Sequence, residues 1–242
     1  MRCLVVSDIH SNLEAFEAVL QDAGLVDQIW CLGDVVGYGP DPNECVLPIQ
    51  GPPKLVCLNG NHDAAAAGLI DIASFNNEAR TAVVWTQSVL SAINVEYLRG
   101  LSAHTVIDSV SLAHGSPRQP IWEYLLDSRT ATQNFDHFET PFCLVGHSHM
   151  PVIFQMQDGV RYANLSIPEI HSCIDMTPRA IFNPGSVGQP RDHDPRAAYA
   201  IFDPNAQTWN YHRVAYDIPS VQARMQSVNL PQRHIQRLSA GW

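Results

Sequence analysis

Residues 3–12 read CLVVSDIHSN, in which four apolar residues end abruptly in a polar turn. The same arrangement of an apolar run and a polar turn recurs along the chain, at residues 29–34, 55–63, 112–115, 142–149 and 180–186. Short runs rich in valine, isoleucine and leucine are typical of strands that are buried on both faces. The sequence therefore predicts an α/β fold built on buried strands.

Helical patterns lie between the early strands. Ser11 and Glu14 have the spacing of a capping box, and the apolar stripe that follows over residues 13–20 predicts a helix there. Further helices are predicted at residues 76–93 and 220–228. The alternation of strand, helix and strand predicts a right-handed βαβ unit at the start of the fold.

The second half of the chain is predicted to add antiparallel strands. Residues 152–165 predict a hairpin that turns at Asp158-Gly159, and residues 198–214 predict another. The proline- and glycine-containing segment 37–53 predicts a long loop on the active side. Since no repeat or interdomain linker is visible, we expect residues 1–242 to form a single domain, a two-sheet sandwich flanked by helices.

Composition limits the function classes. The chain has 242 residues and a formal net charge of −10, and its arginines are scattered. We therefore expect no binding to long nucleic acids, because such binding depends on a basic surface that neutralises phosphates. Most cysteines lie in apolar runs, which favours reduced thiols. No targeting segment or membrane span is visible, so we expect a cytoplasmic protein without a membrane partner.

Polar side chains that bind metals follow the predicted strands. Ligands gather at the carboxyl ends of strands in open α/β sheets. Imidazole and carboxylate groups are common ligands of first-row transition metals. In the Asp8-x-His10 and His147-x-His149 pairs, the spacing lets both side chains point the same way in an extended segment. The residues at these strand ends are Asp8, His10, Asp34, Asn61, His62, His114, His147 and His149.

This ordered set resembles the calcineurin-like metallophosphoesterases. The segments that carry the resemblance are Asp8-Ile9-His10, Gly33-Asp34, Gly60-Asn61-His62-Asp63, His114 and Gly146-His147-Ser148-His149. The family implies a four-layer α/β/β/α sandwich with two mixed β-sheets. It also implies one metal ion at Asp8, His10 and His149, a second at Asn61, His114 and His147, and Asp34 as the bridge between them.

The resemblance implies an enzyme that hydrolyses phosphate esters. Two cations would share a hydroxide that attacks phosphorus in line, and they would neutralise charge on the phosphoryl oxygens. The ions could be manganese, iron, zinc or nickel, since the ligand types suit all of these. In the family, the residue at the position of His62 is not a ligand but faces the leaving group, as a general acid or transition-state stabiliser.

One segment departs from the pattern of many relatives. Residues 33–39 read Gly-Asp-Val-Val-Gly-Tyr-Gly, where protein phosphatases of the family carry Gly-Asp-x-x-Asp-Arg-Gly. The missing Asp would orient the catalytic histidine, and Asp63 and Asp41 are the candidates to replace it. The missing Arg would hold the phosphate, a role open to Tyr38, Arg118, Arg191 or no residue. The list of candidate substrate contacts also includes Asn12, which either contacts phosphate or caps a helix.

The segment that replaces the Asp-Arg pair resembles bacterial phosphodiesterases and relatives of diadenosine tetraphosphatases. We therefore expect small phosphodiesters or nucleotides as substrates. The alternatives are a phosphomonoesterase or protein phosphatase of the same fold, a nuclease, and a non-catalytic metal-binding scaffold. The presence of His62 and of every expected ligand argues against the scaffold. The oligomeric state is not predicted.

Three further features stay open. The turn-rich segment 183–192 forms either a wall of the active site that carries Arg191 or a tight turn that needs glycine. Trp122 and Tyr124 follow His114 and either line a substrate pocket or cover the core. The remaining histidines are interpreted as surface or structural residues, with His193 the one nearest to the expected site.

Overall fold

A computed structural model describes residues 1–50 and 54–242. The strands within these residues are β1 (Cys3–Val6), β2 (Gln28–Cys31), β3 (Leu55–Cys57), β4 (His104–Ile107), β5 (Val110–Ala113), β6 (Phe142–Val145), β7 (Pro151–Gln155), β8 (Asn164–Ser166), β9 (Cys173–Asp175), β10 (Ala180–Pro184), β11 (Ala197–Asp203) and β12 (Thr208–Val214). The α-helices are α1 (Leu13–Ala23), α2 (Pro42–Gln50), α3 (Asn61–Ala66), α4 (Asn77–Val89), α5 (Ala92–Arg99), α6 (Ser128–Asn134), α7 (Ile218–Ser227) and α8 (Gln232–Ala240).

The described strands form two six-stranded mixed sheets. The first has the order β3-β2-β1-β11-β12-β9, and the second has the order β4-β5-β6-β10-β7-β8. In the first sheet β1, β2 and β3 run parallel to one another, and β11 joins β1 in antiparallel fashion. In the second sheet β5, β6 and β10 are parallel. The apolar runs identified in the sequence therefore form the parallel strands of both sheets.

Alternation along β1 shows how the layers are built. Leu4 and Val6 pack with Phe16 of α1, whereas Cys3 and Val5 belong to the core between the two sheets, together with residues of β5, β6 and β10. The outer face of the second sheet packs against α6. The four-layer α/β/β/α sandwich expected for the family is thus confirmed. A fourth apolar cluster joins α4, α7 and α8.

Local corrections concern the helices. The predicted helix 76–93 is two helices, α4 and α5, because Ser91 caps the second one: its Oγ accepts a hydrogen bond from Asn94 N at 3.4 Å. The N-cap of α1 is Asn12 rather than Ser11, since Asn12 Oδ1 accepts from Ala15 N at 3.2 Å. Glu14 forms an ion pair with Arg224 instead of completing a capping box.

The loops differ from the predictions in two places. The predicted loop 37–53 contains α2, which begins at Pro42, a residue whose fixed φ suits the first helical turn. Residues 51–53 of that prediction lie outside the described residues. The hairpin of β11 and β12 is confirmed, with Ala197 opposite Val214. In the other hairpin, β8 begins only at Asn164, so the connection is longer than the predicted turn.

Among residues 1–50 and 54–242, no helix combines the length and the apolar character needed to cross a bilayer.

Candidate metal centre

Both sheets direct polar side chains to one place. Asp8 follows β1, Asp34 follows β2 and Asn61 begins α3 after β3, while His114 follows β5. The parallel strands of each sheet end on the same side, so these residues meet. All of the residues predicted from the strand ends are buried, namely Asp8, His10, Asp34, Asn61, His62, His114, His147 and His149.

The first group of ligands consists of Asp8, His10 and His149, whose potential ligand atoms all lie within 4.8 Å of one another. Nε2 of His10 lies 3.1 Å from Nε2 of His149. Asp8 Oδ1 lies 3.3 Å from Nε2 of His149 and 3.8 Å from Nε2 of His10. The structure therefore brings together the three residues that the resemblance gives to the first ion.

The second group consists of Asp34, His114 and His147, again within 4.8 Å of one another. Nε2 of His114 lies 3.5 Å from Asp34 Oδ2 and 3.2 Å from Nδ1 of His147. Asn61 joins the group, because its Oδ1 lies 3.3 Å from Nε2 of His114. Asp34 also lies 3.6 Å from Nε2 of His10, so its carboxylate reaches both groups.

Main-chain carbonyls fix which imidazole nitrogens face the centre. Nδ1 of His10 lies 3.1 Å from Val36 O, and Nδ1 of His149 lies 2.6 Å from Gln189 O. A carbonyl can only accept, so each Nδ1 carries the proton and each Nε2 presents a lone pair. The two lone pairs then face each other beside Asp8 Oδ1, a buried oxygen without a hydrogen-bond partner. Such a set of acceptors without a donor fits a cation.

For three of the four imidazoles, the ionisation of the protein alone suits metal binding. Burial lowers the pKa of His10 and of His149 well below the usual value, so both imidazoles are neutral. Burial also lowers the pKa of His147, to about 3. Burial opposes ionisation of Asp34, but His114 beside it holds its pKa well below the usual range. The neutral imidazoles of His10, His147 and His149 and the ionised Asp34 are in the states that metal binding requires. Burial opposes protonation of His114, but Asp34 beside it raises the pKa of His114 to about 9, and burial raises the pKa of Asp8 to about 7, so a bound cation would displace protons from these two groups.

The backbone at the centre is strained. Asp8, His10 and Asp34 have φ values of 55°, 49° and 54°, and His147 and His149 have values of 63° and 59°. Residues with a Cβ rarely adopt this left-handed region, and each instance costs on the order of 1–3 kcal/mol. Gly60 contributes a close approach, because a Cβ at this position would collide with the Asp34 carboxylate. Strain of this kind is concentrated at functional sites.

His62 lies beside the second group without an anchor for its ring. Its main-chain N donates to Asp34 Oδ1 at 2.8 Å, but Nδ1 of the ring is buried and has no hydrogen-bond partner. The ring packs 4.2 Å from that of Tyr38 and 5.0 Å from that of Phe75, measured between centroids. Burial lowers the pKa of His62 to about 4. His62 also forms a third grouping with His10 and Asp34, within 4.8 Å.

Neither carboxylate proposed to orient His62 contacts its ring. The Asp63 carboxylate accepts hydrogen bonds from the main-chain N of Val35 and Val36 and thereby holds the turn that carries Asp34. Asp41 forms an ion pair with Arg224 at 2.9 Å. Both residues are therefore structural, and the ring of His62 is held by the aromatic residues around it.

The metal centre opens into a cavity of about 190 Å³. Tyr38 and Arg191, two of the candidate substrate contacts, line this cavity beside the ligands. Arg191 Nη2 donates to Gln189 Oε1 at 3.1 Å, and Arg237 of α8 donates to the same oxygen from Nη1 at 3.2 Å. Gln189 thus links the C-terminal helix to the cavity wall, and its main-chain O also holds His149.

The other two candidate substrate contacts are not brought to this cavity. Arg118 forms an ion pair with Glu123 and donates to Gln133 Oε1 at 2.8 Å. Asn12 uses its side chain internally: Oδ1 caps α1, and Nδ2 donates to Gly188 O at 3.0 Å. The structural alternative therefore accounts for Asn12. His193 is exposed and does not line the cavity either.

Sequence reasoning missed several residues around the centre. Phe75, Gln189 and Arg237 carry no motif, and α8 was not predicted at all. His234 of α8 is buried, with its ring centroid 4.5 Å from that of Tyr38. Two signals were present in the sequence: the turn-rich segment 183–192 supplies Arg191 to the wall, and Trp122 and Tyr124, which were left open between pocket and core, line the cavity.

Comparisons with known proteins agree with this geometry. The model of the calcineurin-like phosphoesterase superfamily domain matches residues 1–207. The uncharacterized protein MJ0912 of Methanocaldococcus jannaschii is 38% identical over 248 residues, which cover 98% of this chain and 97% of that protein.

Solved structures give the same result. A metallophosphoesterase from Sphaerobacter thermophilus is 45% identical, with a TM-score of 0.92 over 100% of this chain and 99% of that chain. The hypothetical protein PH1004 from Pyrococcus horikoshii is 20% identical, with a TM-score of 0.82 over 100% of this chain and 98% of that chain, which shows the shared fold. The expectation of a phosphoesterase enzyme is thereby confirmed.

Proposed function

The chain belongs to the calcineurin-like phosphoesterase superfamily, and we propose that it uses two metal ions to hydrolyse small phosphodiesters or nucleotides. Asp8, His10 and His149 would hold one ion. Asn61, His114 and His147 would hold the other, and Asp34 would bridge them. We also propose that residues 1–242 form one domain, because α7 and α8 pack with α4 in a common apolar cluster.

One observation carries the proposal. Oδ1 of Asp8 and Nε2 of both His10 and His149 converge in a buried space, and the two Nε2 atoms are both acceptors, because each ring keeps its proton on Nδ1. Bringing such acceptors together costs free energy unless a cation lies among them. Asp34 reaches a histidine of each group, at 3.6 Å and 3.5 Å, which supports a shared ligand.

The side chains around the centre have separate roles. When bound, the metal ions would supply a hydroxide at neutral pH and neutralise charge on the phosphoryl oxygens. Arg191 lines the cavity. Its guanidinium would bind a phosphoryl oxygen, the role that the arginine of the absent Asp-Arg pair has in protein phosphatases of the family. His62 lines the same cavity, where it would face the leaving oxygen as a general acid or transition-state stabiliser.

The size of the cavity supports small substrates rather than phosphoproteins. The space at the centre is about 190 Å³ and is lined in part by aromatic side chains. A panel of an aryl monoester, an aryl diester, a dinucleoside polyphosphate and a phosphopeptide tests this proposal. The protein should be prepared with manganese, iron or zinc in turn. We expect the diester or the nucleotide to give the highest kcat/KM, whereas a preference for the phosphopeptide would contradict the proposal.

A further inference from the structure

The cavity at the metal centre has an aromatic wall. Phe75, Trp122 and Tyr124 line it together with His147, a residue of the second ligand group. Trp122 and Tyr124 are 38% and 45% exposed. Large aromatic side chains lower the free energy of a folded protein when they are buried, so two exposed rings in one cavity point to a ligand that covers them.

The centre itself holds two of these rings in place. Tyr124 stacks on the His147 imidazole, with ring centroids 4.0 Å apart and planes inclined by 18°. Phe75 packs edge-to-face against His62 at 5.0 Å. Trp122 packs against Phe75 at 5.3 Å and 65°. The aromatic wall is therefore continuous with the metal centre.

The loop that carries Trp122 and Tyr124 is also anchored. Glu123, which lies between them, accepts hydrogen bonds at Oε2 from Ser116 Oγ at 2.7 Å and from Asn134 Nδ2 at 2.9 Å. Arg118 forms an ion pair with the same carboxylate. These bonds account for the position of the Arg118 side chain, and they hold the loop that carries the two aromatic residues in place before a ligand arrives. Such preorganisation lowers the entropic cost of binding.

We propose that Phe75, Trp122 and Tyr124 form a subsite for the planar heteroaromatic ring of a nucleotide whose phosphate lies at the metal centre. This inference rests on the proposed phosphoesterase function. Stacking suits the subsite, because every base presents a π-face and the contact needs no particular pattern of donors. Asn76 lines the same cavity, and its Oδ1 is occupied by Ala79 N at 2.9 Å, which leaves Nδ2 to donate to a ring acceptor.

Two p-nitrophenyl diesters that share a leaving group test the subsite. One carries thymidine 5′-phosphate and the other carries methyl phosphate, so only the retained group differs. We expect the wild-type kcat/KM to be higher for the thymidine ester. In Trp122→Ala, the ratio of the two kcat/KM values should fall by about 5- to 150-fold, the loss typical of one base–aromatic stack. Equal ratios in the two proteins would overturn the proposal.

Two further variants make the result specific. Tyr162→Ala removes an aromatic side chain that is 42% exposed and does not line this cavity, so it should leave the ratio unchanged. Trp122→Leu keeps an apolar side chain without a ring, and it should lose the preference as Trp122→Ala does. If the leucine variant kept the full preference, the wall would need only apolar bulk, and ring stacking would be wrong.

Binding without turnover separates this inference from the proposed function. Calorimetry with thymidine 5′-monophosphate should show Kd raised about 5- to 150-fold in Trp122→Ala. A wild-type protein that cleaved neither ester but lost affinity for the nucleotide in Trp122→Ala would contradict the diesterase and support the subsite. A protein that cleaved both esters equally, with unchanged nucleotide affinity in Trp122→Ala, would support the hydrolase and overturn the subsite.

Discussion

The two ligand groups of the centre differ in charge and in support. Apart from Asp34, which reaches both groups, the first group contains a carboxylate, that of Asp8. Main-chain carbonyls accept hydrogen bonds from Nδ1 of both of its imidazoles. The second group contains the neutral amide of Asn61 instead. Of its two imidazoles, only that of His114 is bonded to a main-chain carbonyl, with Nδ1 at 2.8 Å from Leu32 O. His147 instead presents Nδ1 to the centre, and its Nε2 is buried without a hydrogen-bond partner.

Backbone strain differs in extent between the two groups. All three residues of the first group, Asp8, His10 and His149, have positive φ values, whereas in the second group Asp34 and His147 do and Asn61 and His114 do not. Strain persists only where surrounding contacts determine the conformation, so the first group is the more rigidly built. A carboxylate also binds a cation more strongly than an amide does. If the centre holds two ions that share Asp34, as proposed, we therefore expect the ion at the first group to be bound more tightly.

The largest effect is expected where the groups meet. Asp34→Asn replaces the shared carboxylate by an amide, which is a poor bridge between two cations, so metal content and kcat should both fall severely. Metal that binds only the folded state stabilises it by about 2.7 kcal/mol at a hundredfold excess over Kd. Thermal unfolding with and without added metal should therefore show a smaller metal-dependent shift in Tm for the variant. An unchanged metal content would refute the bridging role.

His62 decides whether the centre has two ligand groups or three. His62→Ala should keep both ions and leave Tm nearly unchanged, while kcat falls about 10²–10⁴-fold, as expected for a lost general acid. The decrease in kcat should be smaller for esters whose leaving group is nitrophenolate, which needs no proton to leave, and larger for esters with an alkoxide leaving group. Metal content by mass spectrometry, measured beside kcat for both ester types, checks this. Loss of an ion would make His62 a ligand with His10 and Asp34.

The unequal groups predict stepwise release of metal. During titration with a chelator, the ion at Asn61, His114 and His147 should leave first, with Kd about 10–100-fold higher than for the other ion, the effect typical of missing outer-shell partners. Asn61→Asp supplies the absent carboxylate, so it should reduce the difference between the Kd values of the two ions. Asn59→Asp, a nearby change outside the ligand groups, should leave that difference unchanged. Simultaneous release of both ions from the wild type would contradict the comparison.

The meeting of the candidate metal ligands at one place could be predicted because each follows directly from a local pattern. Asp8 and His10 end an apolar run, and the carboxyl edge of parallel strands is a place that topology alone brings together. The same logic predicted the two sheets. The orientation of each imidazole could not be read from the sequence, since it depends on carbonyls that are distant along the chain, such as Gln189 O for His149.

The aromatic wall was predicted only in part, because the sequence left Trp122 and Tyr124 open between pocket and core and gave no signal for Phe75. Phe75 and Trp122 lie in loops, and whether such rings line a cavity or cover the core depends on how the loops are anchored. The sequence offered Arg118 as a candidate phosphate contact. In the structure its guanidinium forms an ion pair with Glu123, five positions along the chain. The helix α8 has few apolar residues, so its packing against α4 and α7 is a tertiary effect rather than a local one.

The smallest effect concerns the support that α8 gives to the first group. Gln189 Oε1 accepts from Arg191 at 3.1 Å and from Arg237 at 3.2 Å, and no carboxylate among the described residues lies within 4.0 Å of either guanidinium. Arg237→Met removes one bond to Gln189 and one positive charge behind the cavity. A hydrogen bond to a charged group contributes about 1.5–3 kcal/mol at most sites. Loss of this bond is partly offset, because the substitution also relieves the repulsion between Arg191 and Arg237. We therefore expect KM to rise only about fivefold.

The ions should stay in place in Arg237→Met, because the main-chain O of Gln189 still holds His149 at 2.6 Å, and kcat should therefore change little. Arg233→Met is the matched control: Arg233 belongs to the same helix but pairs with Glu78 at 3.6 Å, away from the centre. Steady-state kinetics beside metal analysis distinguishes the outcomes. A raised KM with both ions retained assigns Arg237 to the positioning of Arg191, whereas loss of the ion at Asp8 would place α8 among the supports of the first group itself. Equal KM values in Arg237→Met and Arg233→Met would mean that Gln189 holds Arg191 without help from α8.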